Sequence, residues 1–278
     1  MHFGVAMFPT DYAIRLDELG RELEARGFES LWVPEHTHIP ASRRSPWPGG
    51  PNLPQEYWHT HDPFVALAMA AAVTTRLKVA TGICLLVERD PITTAKQVAS
   101  LDHLSGGRFF FGIGGGWNAE EMEHHGTPFT KRWRVMRERV LAMKELWTKD
   151  EAEFHGEFVN FDRSWAWPKP AQKPHPPILM GGDGATTFDR VVDYCDGWMP
   201  IGIRLTDPVA KIAALRERWA RAGRAPAALD VTIFGVKPEV AALDALRRAG
   251  VTRAIFMIPS EGRDKVLPLL DGHAKLSR

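Results

Sequence analysis

Apolar and polar positions along this chain follow two rhythms that take turns. Short apolar runs of strand length and composition occupy residues 3–8, 30–33, 78–86, 108–113, 178–180, 197–200, 231–234 and 254–258. Between them lie stretches with helical spacing, such as Leu16, Leu19 and Leu23 on one face, closed by Gly27. Aspartate followed by proline marks two helix starts, Asp62-Pro63 and Asp90-Pro91, a cap and a first-turn residue side by side. Further helices are expected over residues 130–148 and from near Ala185, Asp207, Pro238 and Arg263. Eight strand–helix pairs predict an α/β fold, a (β/α)8 TIM barrel forming one domain over residues 1–278. A doubly wound open sheet is the other way to pack such units. The rhythm breaks twice. A long Pro/Gly-rich loop, residues 40–54, follows strand two, and residues 154–161, with Gly156 between two alternating runs, predict a small hairpin inserted before strand five.

Composition narrows the class. With 44% hydrophobic and 25% charged residues in 278, the chain can bury a large core. A formal net charge of +1 gives no electrostatic case for nucleic acid. Cys84 and Cys195 are far apart in sequence, which fits a reducing compartment better than a disulfide framework. The apolar stretch 64–73 falls well short of the roughly 20 residues that span a bilayer. Met1 leads directly into the first strand without a charged region and cleavage site. The expectation is a soluble, cytoplasmic protein with no membrane partner.

Residues 108–121 read R-F-F-F-G-I-G-G-G-W-N-A-E-E. A strand here empties into Gly112, Gly114, Gly115 and Gly116, where backbone can approach a ligand without Cβ atoms in the way. The glycines either turn the chain or admit a ligand, and four in five residues are more than a turn needs. Asn118 suits a helix N-cap, with Glu121 three residues on as in a capping box. A dinucleotide fingerprint fails, because Trp117 stands where its third glycine belongs. The basic segment 131–134 reads as a solvated helix face or an anion patch.

On a barrel, the residues just after each strand converge on one rim. Strand two supplies Pro34-Glu35-His36-Thr37-His38, strand three Gly82-Ile83-Cys84, and strand four Trp117 and Asn118 beyond its glycines. Strand five supplies Gly181, Gly182, Gly184 and Thr186, leading straight into a helix, an arrangement suited to phosphate. His36 either exchanges a proton with a substrate or hydrogen-bonds locally. A rival metal site on His36-x-His38 and His59-x-His61 lacks further donors at the ends of strands five, six and eight, so no metal is expected. Cys84, inside an apolar strand, reads as a small buried hydrophobe.

These motifs resemble the bacterial luciferase-like superfamily of flavin- and deazaflavin-dependent oxidoreductases, particularly its actinobacterial F420-dependent branch. The resemblance covers nearly the whole chain. It is carried by residues 28–36 (F-E-S-L-W-V-P-E-H), by L-S-G-G-R at 104–108 with G-G-G-W-N at 114–118, by Gly181-Gly182, and by Asp196-Gly197-Trp198. It implies a flat tricyclic ring in the barrel mouth, with Gly82-Ile83-Cys84 as a bulge beneath it and a cis peptide at Gly82–Ile83. It implies catalytic roles for His36 and Glu35 beside the ring, with Gly114–Gly116, Trp117 and Asn118 flanking it. Gly181, Gly182, Gly184 and Thr186 match the phosphate end. The implied activity is hydride transfer between coenzyme F420 and a small organic substrate. The alternatives are an FMN-dependent monooxygenase and a non-catalytic flavin-binding protein. F420 is favoured because residues 180–187 hold no arginine for a terminal FMN phosphate, while Arg132, or Arg43 and Arg44, can meet carboxylates of the F420 tail. Trp47, Tyr57 and Trp58 are expected to cover the pocket, and a homodimer is the expected assembly.

Overall fold

Strands this short and this apolar cannot bury both faces in an open sheet without leaving two edges, and here they close on themselves. A computed structural model describes residues 1–276. The barrel strands are β1 (His2–Ala6), β2 (Ser30–Val33), β3 (Lys78–Cys84) and β4 (Phe109–Ile113). The antiparallel hairpin β5 (Ala152–His155) and β6 (Asn160–Ser164) intervenes before β7 (Ile178–Gly181), β8 (Gly197–Met199), β9 (Asp230–Phe234) and β10 (Arg253–Met257). The barrel is parallel and runs β1-β2-β3-β4-β7-β8-β9-β10 back to β1. The expected TIM barrel and its inserted hairpin are therefore both present, and the open sheet is excluded.

The helices are α1 (Leu16–Ala25), α2 (Glu56–His59), α3 (Pro63–Ala72), α4 (Pro91–Leu104), α5 (Ala119–His124), α6 (Arg132–Thr148), α7 (Thr187–Tyr194), α8 (Pro208–Arg221), α9 (Val240–Arg248) and α10 (Arg263–Leu276). Their starts follow the local chemistry. Asp62 accepts from the Phe64 and Val65 amides, Asp90 from Thr93 and Asp207 from Ala210, each just before a proline at the first helical position. The hairpin is held to α6 by Glu138, whose carboxylate accepts the Glu157, Phe158 and Val159 amides. No helix among the described residues is long and apolar enough to cross a membrane.

Two cores result. A large outer core fills the space between strands and helices. A small inner one fills the barrel with Ala6, Trp32, Ala80, Phe110, Leu179, Met199 and Ile255, and Ile83 and Phe234 pack on it. Trp32 stacks on Phe110 at 5.9 Å, and the Arg253 guanidinium lies 4.3 Å from the Phe110 centroid. Arg253 also pairs with Glu29 and Asp230. Burial alone would raise the Glu29 carboxyl, but Arg253 and Lys78 outweigh it and hold it at about 2. Removing one partner of such a pair costs about 3–5 kcal/mol, since the other charge stays buried.

The tightest packing lies between β3 and β4. A Cβ on Gly112 would stand 2.1 Å from the Thr81 carbonyl oxygen, which is backbone and cannot step aside. Gly112→Ala is therefore expected to destabilise by about 2–3 kcal/mol. Gly272→Ala, at a position with open space around it, is expected to be nearly neutral. Urea midpoints of the two variants check the contrast.

Candidate active site

At the C-terminal rim the sequence places acids and a histidine on consecutive loops, and the barrel brings them together. His36 follows β2 and is nearly enclosed, with Nδ1 2.8 Å from Glu121 Oε2. Glu121, on α5, is fully buried, and its other oxygen accepts the Thr37 amide at 3.1 Å. With Glu121 as carboxylate, Nδ1 carries the proton toward it, leaving Nε2 without a protein partner. That nitrogen is free to take or give a proton. The imidazole is walled by Tyr57 at 5.1 Å and Trp117 at 5.8 Å between ring centroids.

Glu35 follows β2 next to His36 but bonds to other groups. Its carboxylate accepts from the Leu85 amide at 2.7 Å and pairs with Arg89, so it does not orient His36. Glu121 does that. The capping box is also not formed: Asn118 occupies the N-cap position without a side-chain cap bond, and the Ala119 amide donates instead to Ser45 Oγ at 3.0 Å. Long-range partners, His36 for Glu121 and the folded-over loop for the helix end, displace the local pattern. Asn118 is buried, with both amide atoms unpaired.

A third acid was not legible in the sequence. Glu88, in the single turn Leu86–Glu88, is buried beside Glu121 and Glu35 with neither oxygen hydrogen-bonded in good geometry. Burial first, then the two neighbouring carboxylates, raise its carboxyl far above the usual range, and Arg89 only partly opposes this. Glu88 is thus a neutral acid at pH 7. The signal available was the E-E pair at 120–121 and the V-E-R run at 87–89, acids placed just past strand ends.

The glycines divide into two kinds. The Cβ direction of Gly114 is filled by Ile83 at 1.9 Å, of Gly115 by Trp133 at 2.7 Å, and of Gly116, left-handed at φ +64, by Met122 at 2.9 Å. These three make room for the protein's own side chains. Gly182, at φ +99, has nothing within 4 Å, and Gly184 meets only Thr187 Oγ1 at 3.7 Å. The loop from Gly181 to Thr186 leads into α7 with no intramolecular acceptor for the amides of residues 182–186 among the described residues. Arg190, on α7, and Arg132, on α6, lie on the Trp133 ring at 3.7 and 5.1 Å and pair with no acid. Free amides, a helix start and two acid-free guanidinium groups make an anion cradle that fits a cofactor phosphate.

Between the cradle and His36 lies Gly82-Ile83-Cys84. The Gly82–Ile83 peptide is cis, as the resemblance implied, and the β3–β4 register shifts between Thr81 and Cys84. Cys84 is fully buried, and burial together with Glu35 pushes its thiol well above the ordinary range, so it is no nucleophile. Four other histidines near the rim have partners within the protein: His59 with Asp11, His38 with His124 at 2.8 Å, and His125 with Thr37 at 2.7 Å. Among the described residues no three His, Cys, Asp or Glu are placed to hold a metal ion.

Comparison with known proteins agrees with this geometry. The family model for luciferase-like monooxygenases matches residues 3–265. The chain belongs to that family. Its relatives include an uncharacterized Mycobacterium tuberculosis protein, 42% identical over 270 residues that cover 95% of this chain and 94% of the relative. Over 157 residues, 55% of this chain and 43% of the relative, it is 33% identical to the FMNH2-dependent dimethylsulfone monooxygenase of Pseudomonas putida. Among solved structures it is similar to the coenzyme F420-dependent tetrahydromethanopterin reductase of Methanopyrus kandleri, with a TM-score of 0.76, 18% identity, and 99% and 97% of the two chains covered.

Glu88 gives a pH prediction with a definite sign. A carboxyl whose folded pKa is raised costs nothing below its unfolded value near 4.5. Above that value the unfolded chain gains by ionising, so stability falls as pH rises. Glu88→Gln keeps the shape and cannot ionise. It is expected to match the wild type near pH 4.5 and to be more stable at pH 8. Melting temperatures across that range check it, and parallel curves would contradict it.

Proposed function

We propose that this protein is an F420-dependent oxidoreductase transferring a hydride between the deazaflavin and a small organic substrate. The observation that carries this is His36, fixed through Nδ1 by a buried carboxylate, with Nε2 making no hydrogen bond among the described residues. Bound F420 would supply a hydride donor or acceptor on its ring. The chain supplies the proton: as an alcohol loses its C–H hydrogen with the electron pair, Nε2 takes the O–H proton, and in reduction it returns it. Glu121 stabilises the imidazolium formed in between. The residues fit such a ring. Asn118 leaves an unpaired amide that the ring's carbonyl and N–H groups would satisfy, and the loop from Gly181 to Thr186 offers the phosphate cradle. The similarity to an F420-dependent secondary alcohol dehydrogenase, TM-score 0.74 at 18% identity, supports the same reading.

One observation favours a second reading. Residues 180–187 hold no arginine, yet Arg190, just beyond them, and Arg132, on α6, both lie against Trp133 and pair with no acid among the described residues. They suit a terminal phosphate. In that case the chain is an FMN-dependent monooxygenase, like the Pseudomonas putida relative. Separate titrations with F420 and FMN decide between the two: tight F420 and negligible FMN binding is expected, and the reverse overturns the assignment. His36→Ala is expected to lower turnover by roughly 100-fold while leaving cofactor affinity little changed.

We further infer a homodimer formed through α3. This helix has no charged residue, yet Val65 and Met69 on its outer face are 71% and 40% exposed. A helix apolar on all sides is stable only when covered, and a second copy of the same surface covers it symmetrically. Light scattering should give twice the 31.1 kDa chain mass, and Val65→Glu should give the monomer. Both cysteines are buried and free, which fits a cytoplasmic setting.

A further inference from the structure

We propose that the barrel mouth selects substrates bearing a carboxylate, bound by Arg43, with their apolar body against Trp117 and Tyr57. The inference rests on the reading of His36 as the proton-handling group and names the substrate class for that same site. Arg43 lies in the long loop after β2, and its guanidinium stands 5.6 Å from the Trp117 ring centroid. Its Nη1 is buried without a hydrogen-bond partner, and no acid among the described residues pairs with it. The neighbouring Arg44, by contrast, is neutralised by Glu123 at 3.0 Å.

The loop is built to hold Arg43 there. Its backbone is left-handed at φ 50, a conformation shared only with Asp207 among the described non-glycine residues. On both sides the loop is fastened to α5: Ser42 Oγ donates to Glu120, and Ser45 donates its amide and hydroxyl to the same carboxylate. Burial would raise the Glu120 carboxyl, but the Ser45 bonds outweigh it and hold it at about 2, so the clasp stays charged at neutral pH. A guanidinium donor withdrawn from water without an acceptor is unfavourable, and a bidentate carboxylate satisfies it. The aromatic wall continues from Trp117 and Tyr57 to His36, within 6 Å at each step. A substrate anchored on Arg43 therefore lies along that wall with its far end toward His36.

Carboxylates can reach Arg43 from two sources, the substrate or the glutamyl tail of F420, and the test separates them. Benzoate, phenylacetate and hexanoate, each beside its uncharged amide, are titrated against the cofactor-free protein by saturation-transfer NMR. At least one acid is expected to bind 10-fold or more tightly than its amide, and Arg43→Gln to remove that preference while Arg43→Lys restores part of it. F420 affinity and the melting temperature should be unchanged in Arg43→Gln. Equal binding of all acids and amides by the wild type, or an acid preference that survives Arg43→Gln, overturns the proposal. Weakened F420 binding, with tail-less deazaflavin unaffected and no acid preference to lose, assigns Arg43 to the tail instead. The carboxylate arm needs no cofactor, so loss of the acid preference in Arg43→Gln stands even where F420 fails to bind.

Discussion

Three carboxyl groups, Glu35, Glu88 and Glu121, are buried at one end of the barrel beside Arg89, with the largely buried Arg139 near Glu88, and the site depends on how that charge is balanced. Arg89 cannot neutralise all three. It pairs with Glu35 and with Asp62, the cap of α3, tying the end of β3 to the loop after β2. Burial and the neighbouring carboxylates push the Glu88 carboxyl up, and His36 meets Glu121 at 2.8 Å. A buried charge is tolerated only when it is paired, and here the pairing fixes the orientation of an imidazole at the mouth.

The rim thus has a rigid side and an open side. On the rigid side, Gly114, Gly115 and Gly116 let Ile83, Trp133 and Met122 close in, so the loop after β4 is packed from behind. On the open side, Gly182 faces open space and Gly184 meets only Thr187 Oγ1 at ordinary contact distance, and the amides around them have no acceptor among the described residues. Glycine performs both tasks for the same physical reason, the missing Cβ, yet only the second leaves room for a ligand. The anion cradle lies on the open side and His36, held by Glu121, on the packed side.

The long loop after β2 joins the two. Without the Glu120 clasp it would be an unanchored Pro/Gly-rich segment, but the Ser42 and Ser45 bonds fold it over the mouth, where Trp47 meets Tyr57 at 5.7 Å. Tyr57 in turn meets His36. This segment carries no strand or long helix, and charge-assisted hydrogen bonds fasten it to a short one.

The barrel was legible in the chain because its signals are local. Apolar runs of strand length, Asp-Pro helix starts and Gly27 closing the first helix need no tertiary contact to act, and the structure keeps their order with shifts of a residue or two at the ends. The hairpin was legible for the same reason, and the resemblance supplied the cis peptide at Gly82–Ile83. The partnerships were not legible. Glu121 reads locally as a capping residue and Glu35 as the neighbour of His36. The structure gives Glu121 to His36 and Glu35 to Arg89, because barrel closure brings α5 within 2.8 Å of His36 across 85 residues. Glu88 looks like an ordinary surface acid until burial shows it to be neutral. Sequence determined which groups reach the rim; only the tertiary structure decided which of them meet, because electrostatic pairing depends on distance through space and not along the chain.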